Sequence, residues 1–113
     1  MSGSVFSLVF DRKLAGEVFK QVGEREIVLA ALAGMAPEPG WEGCLVYAGD
    51  PPGDRAAQAC IGISGPVAET VQQRLVEALE RIGITVLELY EGGPEPSQNI
   101  AMASGGKWTT PDR

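Results

Sequence analysis

Histidine is missing from all 113 residues, and its absence excludes more chemistry than any residue present suggests. Without imidazole there is no Ser-His-Asp or Cys-His catalytic pair, no HExxH helix and no imidazole zinc site. Cysteine is nearly as scarce: Cys44 and Cys60 are the only two. Two thiols make no disulfide scaffold, and they lack CxxC spacing. Two thiolates do not complete a tetrahedral zinc site either. Positive charge is thin. Nine Lys and Arg stand against fifteen Asp and Glu, a net of −6, and Arg12-Lys13 is the one adjacent basic pair. Phosphate binding needs clustered cations, so a nucleic-acid partner is not expected. No apolar run approaches the roughly 20 residues that cross a bilayer. The opening MSGSVFSLVF has no basic region and no small-residue cleavage site, so no signal peptide is expected and cytoplasmic residence is the default.

What is present is ordinary for a folded chain: 44% apolar residues and 21% charged ones. The length suits one compact domain able to fold without staples. Residues 4–10 alternate Phe6, Leu8 and Phe10 with Val5 and Val9, which predicts a strand covered on both faces. Asp11 is placed to cap a helix whose stripe is Leu14, Val18, Phe19 and Val22, with Gly23 as its left-handed end. Residues 24–33 are ambiguous. Alanine and leucine favour helix, while Ile27-Val28-Leu29 would suit a buried strand; helix is the expectation. GMAPEPGWEG at 34–43 is loop. Strands are expected at 44–48 and 56–63, joined as a hairpin by GDPPGDR. Pro66 opens the best-defined helix, whose stripe is Val67, Val71, Leu75, Ala78, Leu79 and Ile82. Gln72 is read with its polar side, and Gly83 ends it. Residues 84–90 are a strand, 99–104 a weak edge strand, and 105–113 a tail anchored by Trp108.

The order β, α, β, β, α, β is that of a ferredoxin-like two-layer α+β sandwich: an antiparallel sheet with two helices on one face. Residues 1–91 form that domain; 92–113 are a partly flexible C-terminal extension with a candidate extra strand. A sheet with helices on one face leaves the other bare. Here the strands carry apolar groups on both, so the second face calls for a cover: a symmetry mate, the C-terminal segment or a ligand.

Few residues offer chemistry. GGK at 105–107 lacks the spacing, the Ser or Thr and the helix of a phosphate loop. Ser64 stands before a helix N-terminus, where backbone amides can meet an anion. Asp50, Asp54 and Arg55 lie at a projecting hairpin tip suited to partner contact, with too few oxygen donors for a cation. Trp41 and Trp108 lie in glycine-rich segments, either as interface residues or as caps of their own core. Opposing Ala48 to Ala56 in the hairpin would set Cys44 opposite Cys60, within disulfide range as a redox pair.

The leading expectation is a non-enzymatic binding or assembly module. It self-associates through its sheet face and presents loops to a small molecule or protein partner. The alternative is a small-molecule enzyme with a site between subunits, drawing on Asp50, Asp54, Arg55, Tyr47, Tyr90 or Lys107. A third reading is an acidic inhibitory or DNA-mimicking protein. No cofactor and no metal are expected.

Overall fold

Strand β1, Ser4–Asp11, runs through the sheet with a neighbour on each side, as its two apolar faces require. The structure, a computed structural model, describes residues 4–11, 23–49 and 58–110. Asp11 is the last residue of the strand, and its amide bonds the Thr85 carbonyl. The helix expected over 12–22 lies outside the described residues. Gly23 is extended (φ −67°, ψ 152°), not left-handed, and precedes helix α1, Glu24–Leu32. The ambiguous stretch is therefore helical. Glu24 and Glu26 suit the positive end of α1, and Ile27, Val28, Ala31 and Leu32 give it a buried stripe.

A short 3₁₀ turn at Pro39–Trp41 leads to β2, Leu45–Gly49, and then come β3, Gln58–Gly65, and helix α2, Ala68–Arg81. Gly83 (φ 92°) follows the end of α2 and turns the chain toward β4, Val86–Glu91. The C-terminal segment joins the same sheet as β5, Pro96–Ser104, and β6, Lys107–Thr109. Gly105 and Gly106 make the tight turn between them, both at positive φ, 63° and 81°. The protein is thus α+β, and its described residues form two helices and a six-stranded antiparallel sheet in the order β4-β1-β3-β2-β5-β6. The βαββαβ plan is not matched as such, because two further strands extend the sheet beyond β2. Residues 99–104, expected as a weak edge strand, pair with β2 on one side and β6 on the other.

The two faces of the sheet differ. Leu8, Phe10, Val46, Ala48, Ile61 and Ile63 form one cluster with Val28, Leu32, Val71, Leu75 and Leu79, so both helices cover the same face. Gln72 belongs to this buried side and not to the polar side of α2. It is 4% exposed, and its Nε2 donates to the carbonyls of Ser7 (2.7 Å) and Tyr90 (3.2 Å) across the β1–β4 seam. Those bonds make its burial tolerable. Val5, Ser7, Val9, Tyr47, Cys60 and Gly62 alternate with the clustered residues and point to the second face.

The register of β2 on β3 corrects the expected hairpin. Gly49 opposes Cys60 and Leu45 opposes Ser64, a shift of five from a pairing that would set Cys44 against Cys60. Cys44 lies instead beside Gly65, where a Cβ would come within 2.9 Å of the Cys44 Cα. Five residues of strand separate the thiols, roughly 16 Å, beyond disulfide reach. Because five is odd, they also face opposite sides: Cys44 joins the helix-side core and Cys60 does not. Both are buried and free, so they are not a redox pair in this register.

Candidate functional site

The second face is built around absent side chains. Tyr47 opposes Gly62 in the β2–β3 register, and its ring lies where a Gly62 side chain would be. A Cβ on Gly62 would meet Tyr47 Cζ at 2.2 Å. At the end of β4, Gly92 (φ 98°) turns the chain out of the sheet while its amide bonds the Val5 carbonyl at 2.7 Å. Residues 92–95 then cross this face as a strap, from β4 past Val5 and Tyr47 to Gly49, where Pro96 begins its pairing. Gly93 admits no side chain, since a Cβ there would stand 2.5 Å from both Val5 Cγ1 and the Tyr47 hydroxyl. Gly49 leaves room for the Pro94 ring, and the Tyr47 hydroxyl donates to the Pro94 carbonyl at 3.1 Å. Of the covers the strand pattern calls for, the C-terminal segment supplies this one.

Under the strap is a pocket of about 350 Å³, lined by Ser7, Cys60, Tyr90, Glu91, Gly92, Gly93 and Pro94. Its floor is Ser7 and Cys60, 2% and 3% exposed. The Ser7 carbonyl accepts from Gln72, but the Ser7 hydroxyl has no hydrogen-bond partner among the described residues. A buried hydroxyl left unmatched costs free energy unless something else meets it. Burial raises the Cys60 thiol above its ordinary pKa, and burial followed by the nearby Cys60 raises the Tyr47 hydroxyl. Cys44, on the other face, is pushed up to about 11 by burial, partly offset by the Leu45 amide. Both thiols therefore stay protonated at neutral pH, which suits hydrogen bonding or packing and not nucleophilic attack. Tyr90 stands beside the pocket with its hydroxyl donating to Glu88.

The two tryptophans meet away from this pocket. Their ring centroids are 6.1 Å apart at 48°. Trp41 is 2% exposed, and the Trp108 indole donates to the Met35 carbonyl at 2.7 Å. Arg74 lies over Trp41 at 5.7 Å and pairs with Glu38 at 2.6 Å. The tryptophans thus fold back on their own core. A second groove of about 360 Å³ runs past Leu29, Met35, Pro37, Lys107 and Trp108.

Ser64 is half-buried near the end of β3, and the α2 N-terminus beyond it has no side-chain cap. Asp50, Asp54 and Arg55 lie outside the described residues. Tyr47 and Tyr90 come to the same face, whereas Lys107 belongs to β6 at the far edge. Sequence reasoning missed Ser7, the strap and Gln72. A signal existed for Gln72: with Ala68, Leu75 and Leu79 it follows helical spacing along the apolar stripe. Among the described residues, no group of three or more His, Cys, Asp or Glu could hold a metal ion, and no helix is long and apolar enough to cross a membrane. Compared with protein-family models, curated proteins and solved structures, the chain matches none.

Proposed function

We propose that this protein is a non-catalytic binding module whose seat for a small, largely neutral molecule is the pocket under the strap. The fold we assign to it is a ferredoxin-like core, β1 to β4 with α1 and α2, widened by the β5–β6 hairpin. What supports the fold reading is the order β4-β1-β3-β2 within the sheet and the gathering of both helices on one face.

The observation that carries the functional reading is the Ser7 hydroxyl: buried, unmatched among the described residues, and part of the pocket floor. Cys60 beside it adds a protonated thiol, Tyr90 an aromatic wall and Gly93 a backbone without a side chain in the way. The volume falls at the small end of ligand sites, which run from roughly 300 to 1,000 Å³. Neither thiol of the described chain is activated, and no imidazole exists to serve as a base, so binding is favoured over turnover.

The test is a thermal-shift screen of small hydroxylated and carbonyl compounds on the protein and on its Ser7→Ala variant. A compound seated here raises the melting temperature of the parent. It binds the variant about fivefold more weakly, the value of roughly 1 kcal/mol for one hydrogen bond. A screen whose hits bind both proteins equally contradicts the reading, as does one in which no compound stabilises the parent.

A further inference from the structure

The floor of the strap pocket offers donors and holds its backbone acceptors engaged. Ser7 and Cys60 are 2% and 3% exposed, and neither the Ser7 hydroxyl nor the Cys60 thiol has a hydrogen-bond partner among the described residues. The carbonyls of Ser7 and Tyr90 accept from Gln72, and that of Pro94 accepts from Tyr47. Cys60 sits in β3, a central strand whose carbonyls serve the ladders toward β1 and β2. Glu91 adds no acceptor to the floor. It opposes Phe6, which packs on the helix-side cluster, so by alternation its carboxylate points to that side.

We infer that the guest of this pocket is a neutral carbonyl compound, a ketone or an amide, whose oxygen is received by the Ser7 hydroxyl and the Cys60 thiol together, an assignment that rests on the binding seat proposed above. One atom can serve both groups. Gly62, opposite Ser7, has no side chain, and Cys60 lies two positions along β3 on the same face. Such diagonal neighbours have Cα atoms roughly 7–8 Å apart, a span that a hydroxyl and a thiol converging on one oxygen can close. A carbonyl oxygen carries lone pairs for both protons and brings no proton of its own. A guest hydroxyl brings a third proton to a floor whose remaining acceptors are the Ser7 oxygen and a weakly accepting sulfur. Charge is disfavoured as well. The burial that keeps the Cys60 thiol protonated also penalises a carboxylate or an ammonium placed beside it.

Titration calorimetry of the whole protein with cyclohexanone, valerolactam and cyclohexanol, three guests of similar size, tests the class. The ketone and the lactam bind at least about fivefold more tightly than the alcohol, the worth of one hydrogen bond. Ser7→Ala and Cys60→Ala each weaken the two carbonyl guests and narrow that preference, with circular dichroism confirming that both variants are folded. The infrared S–H band supplies a readout that packing alone does not give. In the bound-minus-free difference spectrum of the parent it moves to lower frequency, and in Cys60→Ala that change is gone. An alcohol that binds as tightly as the ketone, and depends on Ser7, overturns the carbonyl assignment and leaves the seat standing. An S–H band unmoved by a bound ketone does the same. If none of the three guests binds the parent, the carbonyl assignment fails. The seat fails with it only if the wider screen also yields no compound that depends on Ser7.

Discussion

The two faces of one sheet are closed by opposite means. The helix side is filled by branched and aromatic side chains that interlock: Leu8, Phe10, Ile61, Ile63, Leu75 and Leu79 are all fully buried. The strap side is closed by backbone and a tyrosine ring laid into gaps that glycines leave at positions 49, 62 and 93. Apolar filling leaves no room for a guest, and the one buried polar side chain described there, Gln72, is already bonded to the Ser7 and Tyr90 carbonyls. A face roofed by four residues of chain keeps both, in the form of a pocket and the Ser7 hydroxyl. On the reading proposed above, the helix side carries the stability of the fold and the strap side its binding seat.

Substitutions of matched severity sharpen that contrast. On the helix side, Leu75→Ala removes a fully buried side chain and should cost about 2–5 kcal/mol through lost burial and the cavity left behind. On the strap side, Gly62→Ala adds one carbon where the Tyr47 ring already lies, and should cost about 1–3 kcal/mol by overpacking. The second cost is conditional: with Tyr47→Ala also in place the added methyl should be nearly harmless. Denaturant unfolding of the four-member cycle measures that coupling. Independent, additive effects at 47 and 62 would refute the packing described for this face.

That conditional packing also explains what was legible in the sequence. Strand β1 and helix α2 follow from periodicity, because each buries a regular stripe or alternation. The need for a cover on the second face was legible too, from Val5 and Val9 opposite Phe6 and Phe10. Its identity was not, because Gly92-Gly93-Pro94 reads locally as a turn, and only its tertiary setting makes it a strap. The β2–β3 register escaped for a similar reason. AAQACIGI holds small and apolar residues on both faces, so no alternation pins which residue opposes which. Trp108 read as an anchor correctly, but Gly105-Gly106 was needed to see that the anchor is held in a hairpin.

Alkaline pH probes the helix-side core through Cys44. The Cys44 thiol ionises near 11 in the folded protein against about 9 when unfolded, so above pH 9 the unfolded chain releases its proton first. Stability is therefore whole below pH 9 and falls as pH rises from 9 toward 11. Urea unfolding across that window should show a shallower decline for Cys44→Ala than for the parent. An identical slope would contradict the burial of this thiol in the helix-side core. A smaller effect belongs to Tyr47→Phe, which keeps the ring over Gly62 and removes only the bond to the Pro94 carbonyl, at about 1 kcal/mol.

The most direct measurement follows the two thiols of the native protein with a small labelling reagent as denaturant rises from zero. Cys60 lines the strap pocket and needs only that local cover to open, whereas Cys44 is held in the core between sheet and helices. The predicted result is a Cys60 rate at least about tenfold the faster and nearly independent of low denaturant, with Cys44 labelled only through global unfolding. Equal rates with the same denaturant dependence would contradict the account, because they would mean that both faces are closed by one and the same core.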